Sequence, residues 1–319
     1  MINTTDIWQT IFHDNVLDIV EKTIGQKLTN LYLPRNSYIN RVLELELAES
    51  RQRIIVKFYR PGRWTRSMIQ TEHDLLAQLE KEELPVIAPL NYNGKTLFEF
   101  GEIFFAVFPK KGGRAMDELD KEQWQQIGRL IGRMHAISSK LKHPDRIVWQ
   151  PWEATSAHVE VLKNLNVIPP DYQTVFFETA AAFIKKYEPL FDKKDFILLH
   201  GDCHLGNFIY RPDEGIYIID FDDMCIGPRV QDLWMLLPDE LENCQNEVSW
   251  FIEGYETFHD FPRKSLSLIP ALRVMRLIHF ASWCAIQHHE PGFKHHFPEW
   301  GKLRYWNETI KMIQGIGSN

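Results

Sequence analysis

Two short polar stretches carry most of the chemistry this chain can do. One reads His200-Gly-Asp202-Cys-His204-Leu-Gly-Asn207, and the other reads Asp220-Phe-Asp222-Asp223. A carboxylate, an amide and a second carboxylate gathered at strand ends suit Mg²⁺, which takes oxygen ligands, keeps several waters and usually binds through one or two carboxylates plus substrate phosphates. Asn207 and Asp220 fit that task. Asp202 is then free to accept a proton from an attacking hydroxyl.

The elements that must position these groups are short. Residues 196–199, 208–210 and 216–219 are bulky, apolar or β-branched, with a turn over 213–215, and read as three strands. A hairpin of the second and third brings Asn207 and Asp220 together, because both flank the same strand pair. Each polar stretch alone has a bland reading, H-G-D as a turn around a hydrogen-bonded histidine and I-D-F-D-D as a solvated strand end. Taken together, H-x-D-x-x-x-x-N followed by D-F-x matches the catalytic and metal-binding loops of phosphoryl-transfer enzymes.

A lysine far upstream agrees with this. Lys57 lies in the apolar run 54–59, where an unpaired ammonium would be costly to bury, so it needs a phosphate on one side and a carboxylate on the other. Thr65 is placed to cap a helix running to about Lys81, with Glu72 near the apolar face set by Ile69, Leu75, Leu76 and Leu79, where it can pair with Lys57.

The wording H-G-D-x-H-x-x-N with I-D-F-D-D resembles the aminoglycoside phosphotransferase and choline-kinase group of protein-kinase-like enzymes. Further blocks, N-S-Y-I-N-R-V, V-K-F-Y-R-P, F-A-V-F-P, G-R-M-H and G-P-x-V-Q-D-L-W-M-L-L, extend the resemblance from Asn36 to about Leu237 and point to one bacterial branch of that group. The resemblance implies an α+β, bilobal protein-kinase-like fold with a β-rich N-lobe over residues 1–109 and a helical C-lobe over 110–319. ATP would lie between them, with Lys57 and Glu72 orienting its α and β phosphates, and Asn207 and Asp220 holding Mg²⁺. Asp202 would orient the acceptor, and His204 would reach the γ-phosphate. Asp222 would bind a second Mg²⁺ or only shape its turn. The branch implies serine and threonine of proteins as acceptors, with autophosphorylation. Residue chemistry alone leaves open a small alcohol such as choline, an aminoglycoside or a sugar, and also a silent ATP-binding scaffold.

The turn over the phosphates departs from the kinase pattern. It reads Pro34-Arg35-Asn36-Ser37-Tyr38 without glycine, so the glycine-rich signature is absent. By resemblance Ser37 lies at the phosphates, with Arg35 adding charge. Downstream, 224–231 contains no Ser, Thr or Tyr, which removes activation by phosphorylation of that loop.

Other patterns read as scaffold. Residues 14–23 form a short amphipathic helix stopped by Gly25. Segments 28–34, 39–48 and 53–59 read as strands, Asn93-Gly94 as a hairpin turn, and 98–100 and 103–108 as two more strands, the last a hinge for adenine. Asp120 caps a helix through Leu141 whose Gly128 and Gly132 imply close packing, and His135 on it reads as a core histidine. Two helices are expected within 151–189, and Asp232 reads as a helix cap that by resemblance also braces the H-G-D turn. The last third is helical over 248–258, 267–287 and 300–313, with its aromatics in the core and His288, His289, His295 and His296 solvated. Cys203 reads as an inert buried thiol.

Composition bounds the rest. A length of 319 residues suffices for two cores, and a net charge of −7 argues against a general nucleic-acid surface. Four scattered cysteines without a C-x-x-C pair suggest neither a disulfide framework nor zinc. With no secretory pattern at the start and no evident spanning stretch, a cytoplasmic monomer without membrane or nucleic-acid partners is expected.

Overall fold

A computed structural model describes residues 13–35, 37–142 and 144–315. The chain runs α1 (His13–Ile24), β1 (Leu28–Arg35), β2 (Arg41–Leu47), β3 (Arg53–Phe58), α2 (Arg66–Lys81), β4 (Phe98–Phe100), β5 (Ile103–Pro109) and β6 (Arg114–Ala115). It continues through α3 (Lys121–Ser138), α4 (Ser156–Leu165), α5 (Pro170–Tyr187), β7 (Phe196–Leu199), β8 (Phe208–Arg211), β9 (Gly215–Ile218) and β10 (Cys225–Pro228). After these come α6 (Gln231–Trp234), α7 (Gln245–Tyr255), α8 (Ile269–Gln287), α9 (Phe293–His296) and α10 (Leu303–Gly315).

The first five strands form one antiparallel sheet in the order β1-β2-β3-β5-β4. Leu43, Leu45 and Leu47 alternate onto one face of β2, where they meet Val16, Val20 and Ile24 of α1. Spacing of four along a helix matches the period needed to lay one stripe on a sheet. Gly25 then takes φ +69°, a conformation open to glycine, and ends the helix. The Asn93-Gly94 turn takes positive φ at both residues, the requirement of a tight type I′ turn.

Capping sets both long helices near the cleft. The Thr65 hydroxyl accepts from the Met68 amide and opens α2, which buries Ile69, Glu72, His73, Leu75, Leu76 and Leu79. Asp120 and Gln123 form a reciprocal capping box on α3, stabilising by about 1 kcal/mol. That helix ends at Ser138 rather than Leu141, and β2 begins at Arg41 rather than Ile39.

Helices α3 and α7 pack with almost no gap. A Cβ on Gly128 would lie 2.1 Å from the Phe251 carbonyl oxygen, and one on Gly132 would lie 2.5 Å from that of Tyr255, so only glycine permits this approach. Helix α8 runs through the large-lobe core, burying Leu272, Met275, Ile278, Ala281 and Ala285. Against the expectation of no spanning stretch, the run 263–287 is long and apolar enough by composition to cross a membrane, yet over half of its most apolar part is buried inside the fold and it carries Arg273 and Arg276.

Candidate active site

The loop between β7 and β8 is held from behind. The backbone amides of His200 and Gly201 each donate to the Asp232 carboxylate at 2.8 Å. On its other side Asp232 Oδ2 lies 3.0 Å from Nε2 of His135, whose Nδ1 lies 2.9 Å from the Tyr255 hydroxyl. All of these groups are buried, and burial keeps the His135 pKa below its ordinary value. Asp232 therefore does not cap a helix. It stands inside the turn of α6 and braces the loop, while the α3–α7 contact sets where His135 reaches it.

Gly201 completes the turn with φ +82°, and a Cβ there would meet the Asp223 carbonyl oxygen at 2.3 Å. The loop thus sits directly against the second polar stretch. Asn207 donates its side-chain amide to the Asp202 carbonyl oxygen at 2.9 Å, leaving its own amide oxygen as the atom available to a ligand. The Asn207 carbonyl oxygen accepts from the Ile219 amide at 2.9 Å, continuing the β8–β9 pairing, so the expected hairpin does bring Asn207 beside Asp220. Asp220 has left-handed φ of 62°, and its side chain is 58% exposed toward solvent. A non-glycine residue held there costs of order 1 kcal/mol, a strain found where a side chain must be aimed. An exposed carboxylate and a free amide oxygen fit an ion that brings phosphates and water as its other ligands.

Asp202 is only 16% exposed. Its Oδ1 lies 2.7 Å from Arg276 of α8, out of line for a hydrogen bond, and its Oδ2 lies 3.5 Å from His204. Burial pushes the Asp202 carboxyl up, but His204 and Arg276 more than reverse this and hold it below the ordinary carboxylate range. It rests as an anion between these two neighbours. Cys203 beside it is buried as expected, and burial raises its thiol far above the usual range.

The opposite wall is an ionic web. Lys57 lies 3.7 Å from Glu72, 3.8 Å from Asp220 and only 3.0 Å from Asp222. Arg63, from the loop after β3, reaches Asp222 at 2.6 Å and Asp223 at 2.5 Å. Asn40 also donates to Asp222 at 3.1 Å, and Arg146 donates to the Asp222 carbonyl oxygen at 2.9 Å while standing 3.5 Å from Glu72. Burial alone would depress Lys57, yet the Asp222 and Glu72 charges keep it well above its ordinary value. Asp222 therefore bolts the small lobe to the large one through Lys57, Arg63 and Asn40.

Between the walls lies a cleft of about 590 Å³, a size suited to a nucleotide. Lys57, Glu72, Asp202, Asp220 and Ser37 all line it, with Val42, Ile55, Phe108 and Ile218 as apolar surface. Ser37 accepts from the Asn40 amide at 3.3 Å. Arg35 does not add charge here: it pairs with buried Glu44, which Arg53 also holds at 2.7 Å. Asn36 falls outside the described residues.

Nothing in the sequence pattern marks Arg63 or Arg146 as members of the site. Arg273 and Arg276 stand three apart on α8 and part company: Arg276 faces Asp202, while Arg273 pairs with Glu240 at the surface. No group of three or more His, Cys, Asp or Glu side chains suited to a metal occurs among the described residues, including the histidines of 288–296. Trp306 is fully buried, and Trp283 lies in the cleft wall.

Fold and cleft define a protein-kinase-like phosphotransferase. The chain belongs to the phosphotransferase enzyme family APH, which it matches over residues 33–269. It is similar to stress response kinase A of Escherichia coli strain K12, at 35% identity over 317 residues, covering 98% of this chain and 95% of the relative. It is also similar to serine/threonine protein kinase RdoA of Salmonella typhimurium, at 33% identity over 310 residues, covering 96% and 93%. Among solved structures it resembles an amicoumacin kinase in complex with AMP-PNP and Ca²⁺, with a TM-score of 0.77, 20% identity and coverage of 98% and 95%. A Streptococcus pneumoniae choline kinase gives a TM-score of 0.63 at 16% identity, covering 94% and 99%. These last two speak for the fold alone.

Proposed function

We propose that this protein transfers the γ-phosphoryl group of ATP, with Mg²⁺, to serine or threonine hydroxyls of proteins, its own chain included. The observation that supports the reading is the convergence of Asp202, Asp220 and Lys57 on one cleft, with Asn207 held against the Asp202 backbone, in a chain 33–35% identical over nearly its whole length to relatives bearing kinase names. Lys57 would hold the α and β phosphates, exchanging part of its contact with Asp222 for theirs. Ser37 would donate to a phosphate from the covering turn. Asn207 and Asp220 would hold the ion, which offsets charge on the transferring group when bound.

Asp202 positions the acceptor hydroxyl and receives its proton as the new O–P bond forms. Positioning dominates, since a carboxylate held this acidic is a weak base. The test is transfer from radiolabelled ATP in a protein mixture and in a panel of small alcohols. Label in proteins, the protein itself among them, is expected. Label confined to small molecules would overturn the protein acceptor, and nucleotide binding without transfer at saturating Mg²⁺ would overturn the catalytic reading.

A further inference from the structure

The charges lining the cleft do not balance evenly along its length. On the small-lobe side Lys57 and Arg63 are committed to Asp222, Asp223 and Glu72, each within 3.7 Å. Arg146 is buried against Glu72 and the Asp222 backbone. Arg276 differs from these. It projects from α8 into the cleft, its side chain is 30% exposed, and its one ion-pair contact among the described residues is a single carboxylate oxygen of Asp202 at 2.7 Å, out of line for a hydrogen bond. A guanidinium carries five N–H donors in a rigid fork, so most of its donating capacity is unspent.

Its location gives that capacity a use. An acceptor hydroxyl within hydrogen-bond reach of Asp202 lies next to the phosphorus it attacks, so a group 2.7 Å from Asp202 stands within one phosphoryl width of the group in transit. Nucleotide brings several negative charges into a cleft already lined by Glu72, Asp202, Asp220, Asp222 and Asp223. A cation on the acceptor side is what the transition state then lacks.

We propose that Arg276 is a further catalytic residue, one that steadies Asp202 at rest and donates its remaining N–H groups to the phosphoryl oxygens during transfer. This rests on the phosphotransferase reading above. In the step, the acceptor oxygen forms a bond to the γ-phosphorus as the bond to the β–γ bridging oxygen breaks. The electron pair of that bond stays on ADP, and the hydroxyl proton passes to Asp202 and on to solvent. Arg276 exchanges no proton. Further along the same face of α8, Phe280 and Trp283 stack with ring centroids 5.9 Å apart, and Tyr38 of the covering turn packs on Trp283 at 5.3 Å, closing that wall.

Arg276→Gln and Arg276→Lys variants test this, with Arg273→Gln as the control from the same helix outside the cleft. The first readout needs no identified acceptor: affinity for MgADP with aluminium fluoride, a mimic of the group in transit, against affinity for Mg·AMP-PNP. Arg276→Gln should lose 10-fold or more of the first while keeping the second within about 3-fold. Turnover, measured with protein acceptor or with water, should fall about 10²- to 10³-fold with little change in the KM for ATP. Lysine should restore part of it, and guanidinium ion added to the glutamine variant should restore some. Equal loss of both nucleotide affinities, or turnover unchanged in Arg276→Gln, would overturn the proposal. Should the glutamine variant melt early, the lysine variant decides on the same two affinities. Absence of transfer to any hydroxyl by the unaltered protein would instead count against the function proposed above, and the fluoride comparison would still judge Arg276.

Discussion

The two walls of the cleft are built on different principles. Toward the small lobe, Lys57, Arg63 and Arg146 interlock with Glu72, Asp222 and Asp223, and most of these side chains have two or more partners. Toward α8, Asp202 and Arg276 hold one another, His204 stands at 3.5 Å, and Asp220 faces solvent. A buried web of this kind is costly to break at any one member. The acceptor wall has contacts to spare. One wall is finished by the protein, and the other is left for substrate to complete.

Removing a member of each wall should therefore give opposite phenotypes. Asp202→Ala should lower turnover about 10³-fold while the melting temperature and nucleotide affinity stay close to those of the parent, because Asp202 belongs to the unfinished wall. Asp222→Ala should do the reverse first. It leaves Lys57 and Arg63 short of a partner in a buried place and should cost about 3–5 kcal/mol, seen as an earlier chemical-denaturation midpoint, with loss of activity following from that. If Asp222→Ala left stability unchanged, the contrast between the walls would collapse. Asp220→Asn sharpens it further: stability kept, and Mg²⁺-dependent tightening of nucleotide binding lost.

A fourth variant tests the brace behind the catalytic loop. Gly132→Ala would drive a methyl group against the Tyr255 carbonyl and force α3 away from α7, at a cost of about 1–3 kcal/mol. Because His135 reaches Asp232 from α3, the loop at His200 and Gly201 should lose its register as well. Turnover should fall by more than the Asp202-independent nucleotide affinity does. An equal fall in both would mean that the brace has no directed effect.

How much of this was legible in the chain follows from distance along it. Asp202, Asn207 and Asp220 lie in one stretch, so strand ends and turn residues sufficed to gather them. Lys57 betrayed itself as a cation in an apolar strand, and Thr65 and Asp120 as caps. The web did not show, because Arg63 meets Asp222 across 159 positions and its sequence surroundings, Pro61-Gly62 and Trp64, look like an ordinary loop. Arg273 and Arg276 are a further case. Spacing of three puts both on neighbouring turns of one helix, yet only packing decides that one finds Glu240 and the other Asp202. Asp232 shows the same limit: a carboxylate near a helix start reads as a cap until the amides that it accepts from are known.

The smallest expected effect separates the web from the apolar layer behind it. His73 on α2 is 1% exposed and lies 2.9 Å from both the Tyr59 hydroxyl and the Thr96 hydroxyl. Burial, helped by the Lys57 and Arg146 charges, lowers its pKa to about 3. An unfolded histidine takes up a proton near pH 6.5, so between that value and about 3 the unfolded chain binds a proton that the folded one refuses. Stability is therefore fully present above about pH 6.5 and falls as the solution is acidified, by at most about 1.4 kcal/mol per pH unit from this one group. Asp222, whose carboxyl is held below the ordinary range despite its burial, works in the same direction but only near and below pH 4. Denaturation midpoints of His73→Gln and the parent, measured between pH 7 and 5, should run with a shallower slope in the variant. Identical slopes would mean that the folded protein does not hold the His73 pKa down, and would make the layer behind the web electrostatically silent.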